Sequence, residues 1–238
     1  MKKIFILMIS ILLLTGCKKD DNTIVMVTEA GFAPYEYYEN GEIVGVDIEV
    51  ATEIANALGK ELIVKDIAFD FIINELKSGK ADFAAAGMSI TEERLKEVDF
   101  SIKYTTSKQV VLVNKNSAIK SIDKIYEKKI AVQLGSVADL YFTENYPNAN
   151  LVRQKKYLSM TEDLKANKID LIVMDYLPAR QIAEKNSDLK ILEGYVFEDS
   201  YGIAVKKGNE ELLKTINEVL EKLMNENKIE EYIIKYSE

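Results

Sequence analysis

Apolar and polar residues alternate in blocks along this chain, and the blocks switch between a strand-like and a helix-like period. Residues 23–30, TIVMVTEA, form an apolar run of strand length, and residues 47–60, DIEVATEIANALGK, repeat an apolar residue every three or four positions. This spacing predicts a strand followed by a helix, with Asp47 as its N-cap and Gly59 as its C-cap.

The alternation continues to the C-terminus without a low-complexity linker. Strands that alternate with helices are typical of βαβ units, so the pattern predicts an α/β fold on a parallel sheet. Further strands are predicted at residues 61–67, 81–88, 108–113, 128–135, 149–153, 169–175 and 201–208. Further helices are predicted at residues 70–80, 136–146, 160–168, 176–186, 210–224 and 228–236.

One short pattern occurs twice, each time where a predicted helix runs into an apolar strand. Residues 77–83 and 165–171 both read K-x-x-K-x-D followed by an apolar residue, and Gly87 and Asp175 lie five positions beyond each aspartate. Ligands of open α/β sheets bind at the carboxyl ends of strands, so these two positions are candidates for a binding site. The alternative, that the pattern only marks a helix-to-strand turn, stays open.

The N-terminus predicts export. Two lysines precede the apolar run 4–14, which is shorter than the ~20 residues that a membrane span needs. An L-T-G-C motif then ends at Cys17, the cysteine that bacterial lipoproteins acylate. We expect a signal peptide at residues 1–16, a lipid-anchored tether at 17–22 and a protein on the extracytoplasmic face of the cell membrane. An ordinary secretory signal is the alternative.

Composition narrows the chemistry. The chain has a formal net charge of −8, which argues against nucleic acid or an anionic surface as a partner. It has no histidine and a single cysteine, which excludes histidine-based triads and zinc sites with histidine or cysteine ligands. We therefore expect no metal and no cofactor.

Arg94 is one of only three arginines in a chain that otherwise uses lysine for positive charge. It falls in the first turn of a short predicted helix capped by Thr91 or Ser89, where a cation is unfavourable. A surface pair with Glu93 or Glu97 is the ordinary interpretation. Because a guanidinium can donate two parallel hydrogen bonds to one carboxylate and an ammonium cannot, we interpret Arg94 as part of a carboxylate clamp.

Other candidate residues stand at strand ends and in an aromatic loop. Asp175 ends an apolar strand and would suit an ammonium group, although an N-cap role is the alternative. Phe32 lies in the glycine-rich loop after the first strand and Phe69 precedes a helix, so each is a candidate wall for a ligand. Glu29 would meet a polar ligand end or form a salt bridge with a loop lysine.

Several motifs together resemble one family, the extracellular solute-binding proteins of polar amino-acid ABC transporters. They are GFAPYEYYENGEIVGVDIEVATEIA, ELKSGKADFAAAGMSITEERLKEVDFS, AVQLGS, KIDLIVMD and YGIAVKKGNEEL. The resemblance implies a two-lobed periplasmic-binding-protein-like clamshell of type II, with two crossovers and the ligand in the interlobe cleft. It implies one lobe from residues 23–104 plus 201–238, a second from 108–197, and hinges at 104–108 and 198–201.

The resemblance also implies roles for individual residues. Arg94 would bind the α-carboxylate of an amino acid, and Gly87 and Asp175 would meet its α-ammonium. Ser89 would contact both groups, and backbone N–H groups of Ser136 and Val137 would help to hold the carboxylate. The ligand side chain would lie between Phe32 and Phe69, with Glu29 near its polar end.

The function implied is capture of a polar amino acid, basic or amide, by hinge closure and its delivery to an ABC permease. We expect a monomer without enzymatic activity. Two alternatives use the same fold. A cyclohexadienyl-type dehydratase would use Glu29 or Asp175 as a general acid, and an amino-acid-sensing ectodomain would signal to a membrane partner.

Overall fold

The apolar segments assemble into two separate sheets in the computed structural model, which describes residues 21–238. The predicted signal peptide and Cys17 lie outside the described residues. The first part of the chain contains a 3-10 turn at Phe69–Phe71 and nine strands and helices. These are β1 (Thr23–Thr28), β2 (Tyr37–Glu39), β3 (Glu42–Val44), α1 (Val46–Leu58), β4 (Glu61–Asp66), α2 (Ile72–Ser78), β5 (Phe83–Ala84), α3 (Glu92–Glu97) and β6 (Val98–Phe100).

The remaining elements build the second sheet and then return to the first. The second sheet and its helices comprise β7 (Thr105–Asn114), β8 (Lys129–Gln133), α4 (Val137–Asn145), β9 (Asn150–Gln154), α5 (Tyr157–Lys165), β10 (Leu171–Asp175), α6 (Tyr176–Lys185), β11 (Leu189–Ile191) and β12 (Phe197–Tyr201). The returning elements are β13 (Ala204–Lys206), α7 (Glu210–Asn225) and α8 (Lys228–Ser237).

Both sheets mix parallel and antiparallel strands, so the prediction of a purely parallel sheet is wrong. The first has the order β4-β1-β5-β13-β6, and the second the order β11-β7-β10-β8-β9 with β12 also paired to β7. Strands joined by helical crossovers pair in parallel, whereas the strands that carry the chain between the sheets pair antiparallel with them. We call the part built on each sheet the first lobe and the second lobe.

One inner strand of each sheet, β1 in the first and β10 in the second, is buried on both faces. In β1, Val25 and Val27 pack toward α2 while Met26 packs toward α1. In β10, Val173 and Met174 likewise belong to different apolar clusters. Strands covered on both sides read as continuous apolar runs, and a polar residue becomes tolerable only where the strand leaves the core.

Two chain segments connect the lobes, and they pair with each other. The beginning of β7 runs antiparallel to β12, from Thr105 opposite Tyr201 to Gln109 opposite Phe197. The ranges predicted as hinges, 104–108 and 198–201, therefore lie side by side in one short ribbon. Their bending, and the lobe boundaries predicted around them, stay predictions.

Local predictions were wrong at two places in the first lobe. Gly45, not Asp47, is the N-cap of α1, because the Asp47 side chain is buried and accepts hydrogen bonds from elsewhere. The aromatic-rich loop contains the hairpin of β2 and β3, which turns at Asn40 and Gly41, both with positive φ. The C-cap at Gly59 is confirmed, since it adopts the left-handed conformation.

Gly45 offers a test of how tightly this hairpin is held. At its φ of 134° a Cβ atom would lie 2.1 Å from the carbonyl oxygen of Tyr35. We expect Gly45→Ala to lower the free energy of unfolding by about 3 kcal/mol, because backbone strain and a collision with backbone combine. Chemical denaturation measures this loss.

Gly41→Ala is the matched control for that substitution. Gly41 also has a positive φ, 89°, but nothing lies within 4 Å of the added Cβ. It should cost about 1 kcal/mol from conformation alone. Equal losses at the two positions would contradict the close packing of Gly45.

Candidate functional site

A narrow cavity lies between the lobes, at the carboxyl ends of strands from both sheets. All nine residues that the sequence analysis singled out as ligand contacts line it, and their roles toward a ligand stay predictions. They are Glu29, Phe32, Phe69, Gly87, Ser89, Arg94, Ser136, Val137 and Asp175. Four lining residues were missed, namely Glu36, Ala86, Gln133 and Tyr157.

Arg94 is buried, with 4% of its surface exposed, and it is not the surface ion pair that was the ordinary interpretation. Its guanidinium donates to two carbonyl oxygens, Ser89 O at 2.7 Å and Gly135 O at 3.0 Å, which lie on different lobes. Glu97 pairs with Lys77 instead. Burial lowers the pKa of Arg94 to about 10, so the side chain is still a cation at neutral pH. Three of its five N–H groups remain for a ligand.

The backbone around Arg94 agrees with the sequence predictions only in part. Thr91, not Ser89, caps α3 by accepting from the backbone N–H of Arg94 at 3.2 Å. On the second lobe, Ser136 caps α4, and its own N–H donates to Gln133 O at 3.1 Å. Val137 begins that helix, where backbone N–H groups have no acceptor in a preceding turn. An anion beside Arg94 would therefore face a helix N-terminus.

Asp175 lies at the end of β10 and is buried. It is the N-cap residue of α6, as the alternative predicted, but its side chain makes no capping hydrogen bond. Its carboxylate instead accepts a hydrogen bond from the Tyr201 hydroxyl. Burial, and then the charge of Asp199, raise the pKa of Asp175 to about 7.

Asp199 is a further acid near this end of the cavity that the sequence analysis did not identify. It lies in β12 and accepts a hydrogen bond from the Ser89 hydroxyl. Burial raises the pKa of Asp199 above its ordinary value, and the Ser89 hydrogen bond opposes that rise. Because β12 itself was not predicted, no pattern in the sequence placed this residue at the end of a strand.

Gly87 is fixed by contacts on two sides. Its N–H donates to Asp47 Oδ2 at 2.9 Å, and the hydroxyl of Tyr104 donates to Asp47 Oδ1 at 2.6 Å. Its φ is +51°, and a Cβ atom at this position would lie 2.5 Å from the ring of Phe32. Only glycine satisfies both conditions, so Gly87 sets the distance between the strand end and the aromatic wall.

Aromatic rings form the walls of the cavity. Phe32 packs nearly parallel to Tyr157 of the second lobe, with ring centroids 5.6 Å apart. Phe69 lies under the guanidinium of Arg94, whose central carbon is 5.4 Å from the ring centroid. Phe32 and Phe69 are thus both wall residues, as predicted, and Tyr157 adds a third.

The distal end of the cavity holds Glu29, which forms the salt bridge that was left open as an alternative. Its partner is Lys156, which precedes α5, and Gln133 Nε2 also donates to Glu29 Oε2 at 3.1 Å. Burial raises the pKa of Glu29, and the hydrogen bond and charge of Lys156 oppose the rise. Gln133 ends an apolar strand as Asp175 does, so the same sequence signal predicts its position at the cavity.

Glu36 is buried, lines the cavity and lies beside the carboxyl group of Asp47. Burial and the neighbouring charge of Asp47 raise its pKa well above the ordinary value. Burial also raises the pKa of Asp47, to about 6.

None of the helices in residues 21–238 is long and apolar enough to cross a membrane. The same range contains no group of three or more acidic side chains placed to hold a metal ion.

Two α/β lobes with a polar cavity between them and two chain crossings define a solute-binding protein of the clamshell type. Residues 24–238 match the family of bacterial extracellular solute-binding proteins, family 3, and the chain belongs to this family. The protein therefore acts outside the cytoplasm and is not an enzyme, and the dehydratase alternative is set aside.

Known proteins similar to this chain cover most of its length. The arginine-binding extracellular protein ArtP of Bacillus subtilis is 30% identical over 224 residues, 91% of this chain and 86% of ArtP. The glutamine-binding protein GlnH of the same organism is 33% identical over 224 residues, 92% of this chain and 82% of GlnH. The structure of AbpA from Streptococcus pneumoniae bound to L-arginine matches with a TM-score of 0.85 and 33% identity, covering 90% of this chain and 94% of AbpA.

The buried acids predict an unusual dependence of stability on pH. Their pKa values are raised in the folded chain, so the folded state holds protons that the unfolded state releases. Stability should therefore increase as the pH falls from 7.5 to 5.5, and Asp175 alone should contribute roughly 2 kcal/mol of this increase. The chain has no histidine to oppose this trend. Urea denaturation at the two pH values measures it.

Asp175→Asn is the informative variant in this experiment. It should raise the stability at pH 7.5 and reduce the pH dependence, because the variant has no carboxyl at position 175 to take up a proton in this range. Stability that is equal at both pH values in the unsubstituted protein would contradict the burial of an ionisable Asp175.

Proposed function

We propose that the protein captures a free amino acid outside the cell and delivers it to the permease of an ABC transporter. The observation that carries the proposal is the pair of opposite charges on one cavity, with Arg94 buried on the first lobe and Asp175 buried on the second. A zwitterion is the simplest small ligand that neutralises both.

The carboxylate end of the ligand would bind to Arg94. The guanidinium already donates to Ser89 O and Gly135 O, which fixes its plane and leaves parallel N–H groups for a carboxylate. Val137 at the beginning of α4 adds a helix N-terminus from the second lobe. Ser136 contributes less through its N–H than the sequence predicted, because that group is engaged in a turn.

The ammonium end would bind between Asp175, the Ser89 hydroxyl and the Gly87 carbonyl. The charge of Asp199 lies close to this point and favours a cation there. The side chain would extend between the rings of Phe32 and Phe69 toward Glu29.

Binding would close the two lobes. Because the proposed contacts come from both lobes, the ligand has its full set of partners only when the cleft is shut, and it stabilises the closed form by that difference. The ribbon of β7 and β12 joins the lobes and is the proposed hinge, at residues 104–108 and 198–201. The proposed lobes are residues 23–104 plus 201–238, and residues 108–197.

The relatives support the class of ligand. ArtP is named for arginine and GlnH for glutamine, and AbpA was solved with L-arginine, so polar amino acids are common to all three. In this proposal the protein is a monomer that meets its permease at the membrane.

A screen against the common amino acids tests this function. Thermal shift of the mature chain should reveal at least one stabilising amino acid, since ligand at ~100 times its Kd adds ~2.7 kcal/mol. If none raises the melting temperature, the proposed function is wrong.

Arg94→Lys tests the carboxylate clamp in particular. We expect it to weaken the best amino acid ~100-fold in calorimetric titration, because an ammonium cannot reproduce the bidentate contact. Arg180→Lys is the matched control, since Arg180 lies on α6 outside the cavity and pairs with Glu184. Unchanged affinity in Arg94→Lys would show that the carboxylate binds elsewhere.

We also propose that Cys17 is acylated and anchors the protein to the outer face of the cell membrane. Cys17→Ser should move the protein from the membrane fraction to the medium, because acylation supplies the two-chain anchor that stable attachment needs. Fractionation and immunoblotting measure the distribution. A Cys17→Ser protein that stays in the membrane fraction would contradict the anchor.

A further inference from the structure

The acid at the distal end of the cavity is already paired with a cation of the protein. One carboxylate oxygen of Glu29 accepts from the ammonium of Lys156, and the other accepts from Gln133 Nε2 at 3.1 Å. A Cβ atom on Gly31 would lie 3.1 Å from Oε1, so the backbone also confines this carboxylate. Only 1% of the Glu29 surface is exposed. Its charge is therefore balanced inside the protein, and not by water.

Lys156 reaches this acid from the opposite lobe. It stands at the N-cap position of α5, makes no capping bond there, and leaves 43% of its side chain exposed. It does not line the cavity itself but contacts Glu29, which does. A second acid of the first lobe, Asp66, lies 3.7 Å from the same ammonium. Asp66 is held by the backbone N–H of Ala30 at 2.9 Å and does not line the cavity. Lys156 thus links the two lobes through its ion pair with Glu29.

This pairing changes what the distal end can accept from a ligand. A cationic side chain would have to displace the Lys156 ammonium from Glu29 or lie beside it, and like charges at short range repel. A side-chain amide has both a donor for the carboxylate and an acceptor for the ammonium. It can add to the ion pair without breaking it.

We infer that Lys156 is a specificity-determining residue that sets the site for an amino acid with a neutral amide side chain, of the glutamine type, over a cationic one. The inference rests on the proposed function and names the ligand class of the same site. It differs from what Glu29 alone would indicate, since an unpaired buried carboxylate would favour arginine or lysine.

Calorimetric titration with L-glutamine and L-arginine tests the inference. We expect the unsubstituted protein to bind glutamine at least tenfold more tightly than arginine. Lys156→Met keeps the length of the side chain and removes its charge, so it should shift the affinity ratio at least tenfold toward arginine. Lys156→Arg, which retains the cation, should keep the original preference.

Lys155→Met is the matched control. Lys155 is the neighbouring residue, but its ammonium lies 4.8 Å from the centroid of Phe71 and 4.0 Å from Asp70, away from Glu29. It should leave the ratio unchanged. Glu29→Gln gives a second test with Lys156 in place, and it should weaken glutamine without creating affinity for arginine. Thermal denaturation of each variant establishes that it is folded.

The outcomes separate the inference from the proposed function. If the unsubstituted protein binds arginine more tightly than glutamine, or if Lys156→Met leaves the ratio unchanged, the inference is wrong while amino-acid capture stands. Binding of only an amino acid of a third class overturns the inference in the same way. If no amino acid binds, the proposed function fails and the inference fails with it.

Discussion

A charge that is removed from water must be compensated by hydrogen bonds or by an opposite charge, and the rest of this site follows from that constraint. Arg94 is compensated by two carbonyl dipoles, Asp175 by a tyrosine hydroxyl, and Glu29 by a lysine and an amide. The first two arrangements are incomplete in charge, whereas the third is complete. A buried charge without an opposite charge in the protein is stabilised when a ligand supplies that charge. The positions of these charges along the cavity determine the orientation of the ligand.

The fold places these buried charges at the ends of strands, where the chain leaves the apolar core. β1 and β10 are covered on both faces, so their first charged side chains appear where each strand leaves the core, at Glu29 and Asp175. The carboxyl ends of the two sheets face the same cavity, and residues far apart in sequence meet there. Acids with raised pKa values lower the stability of the folded chain at neutral pH, and binding proteins commonly retain such costs at the site that they use.

Much of this arrangement could be read from the sequence, because strand ends and rare residue types are local signals. Arg94 was found through its contrast with lysine, and Asp175 through its place after an apolar run. The hairpin at Asn40 and Gly41 was missed although an Asn-Gly pair between strand-like residues is a strong signal for one. The partners Asp199 and Lys156 could not have been found this way. Each is polar among many polar residues, and only the approach of the two lobes brings them to Ser89 and Glu29.

The position of β13 bears on the order in which an exported chain can assemble. This strand lies between β5 and β6, and β6 has no other partner in the sheet. The second sheet is formed from one continuous stretch of chain, from β7 to β12, whereas the first needs a strand made almost at the end of synthesis. A chain that emerges from the membrane with its N-terminus first can therefore complete its second lobe while the first still lacks its fourth strand. The first lobe, which carries Arg94, is therefore the last to complete its fold.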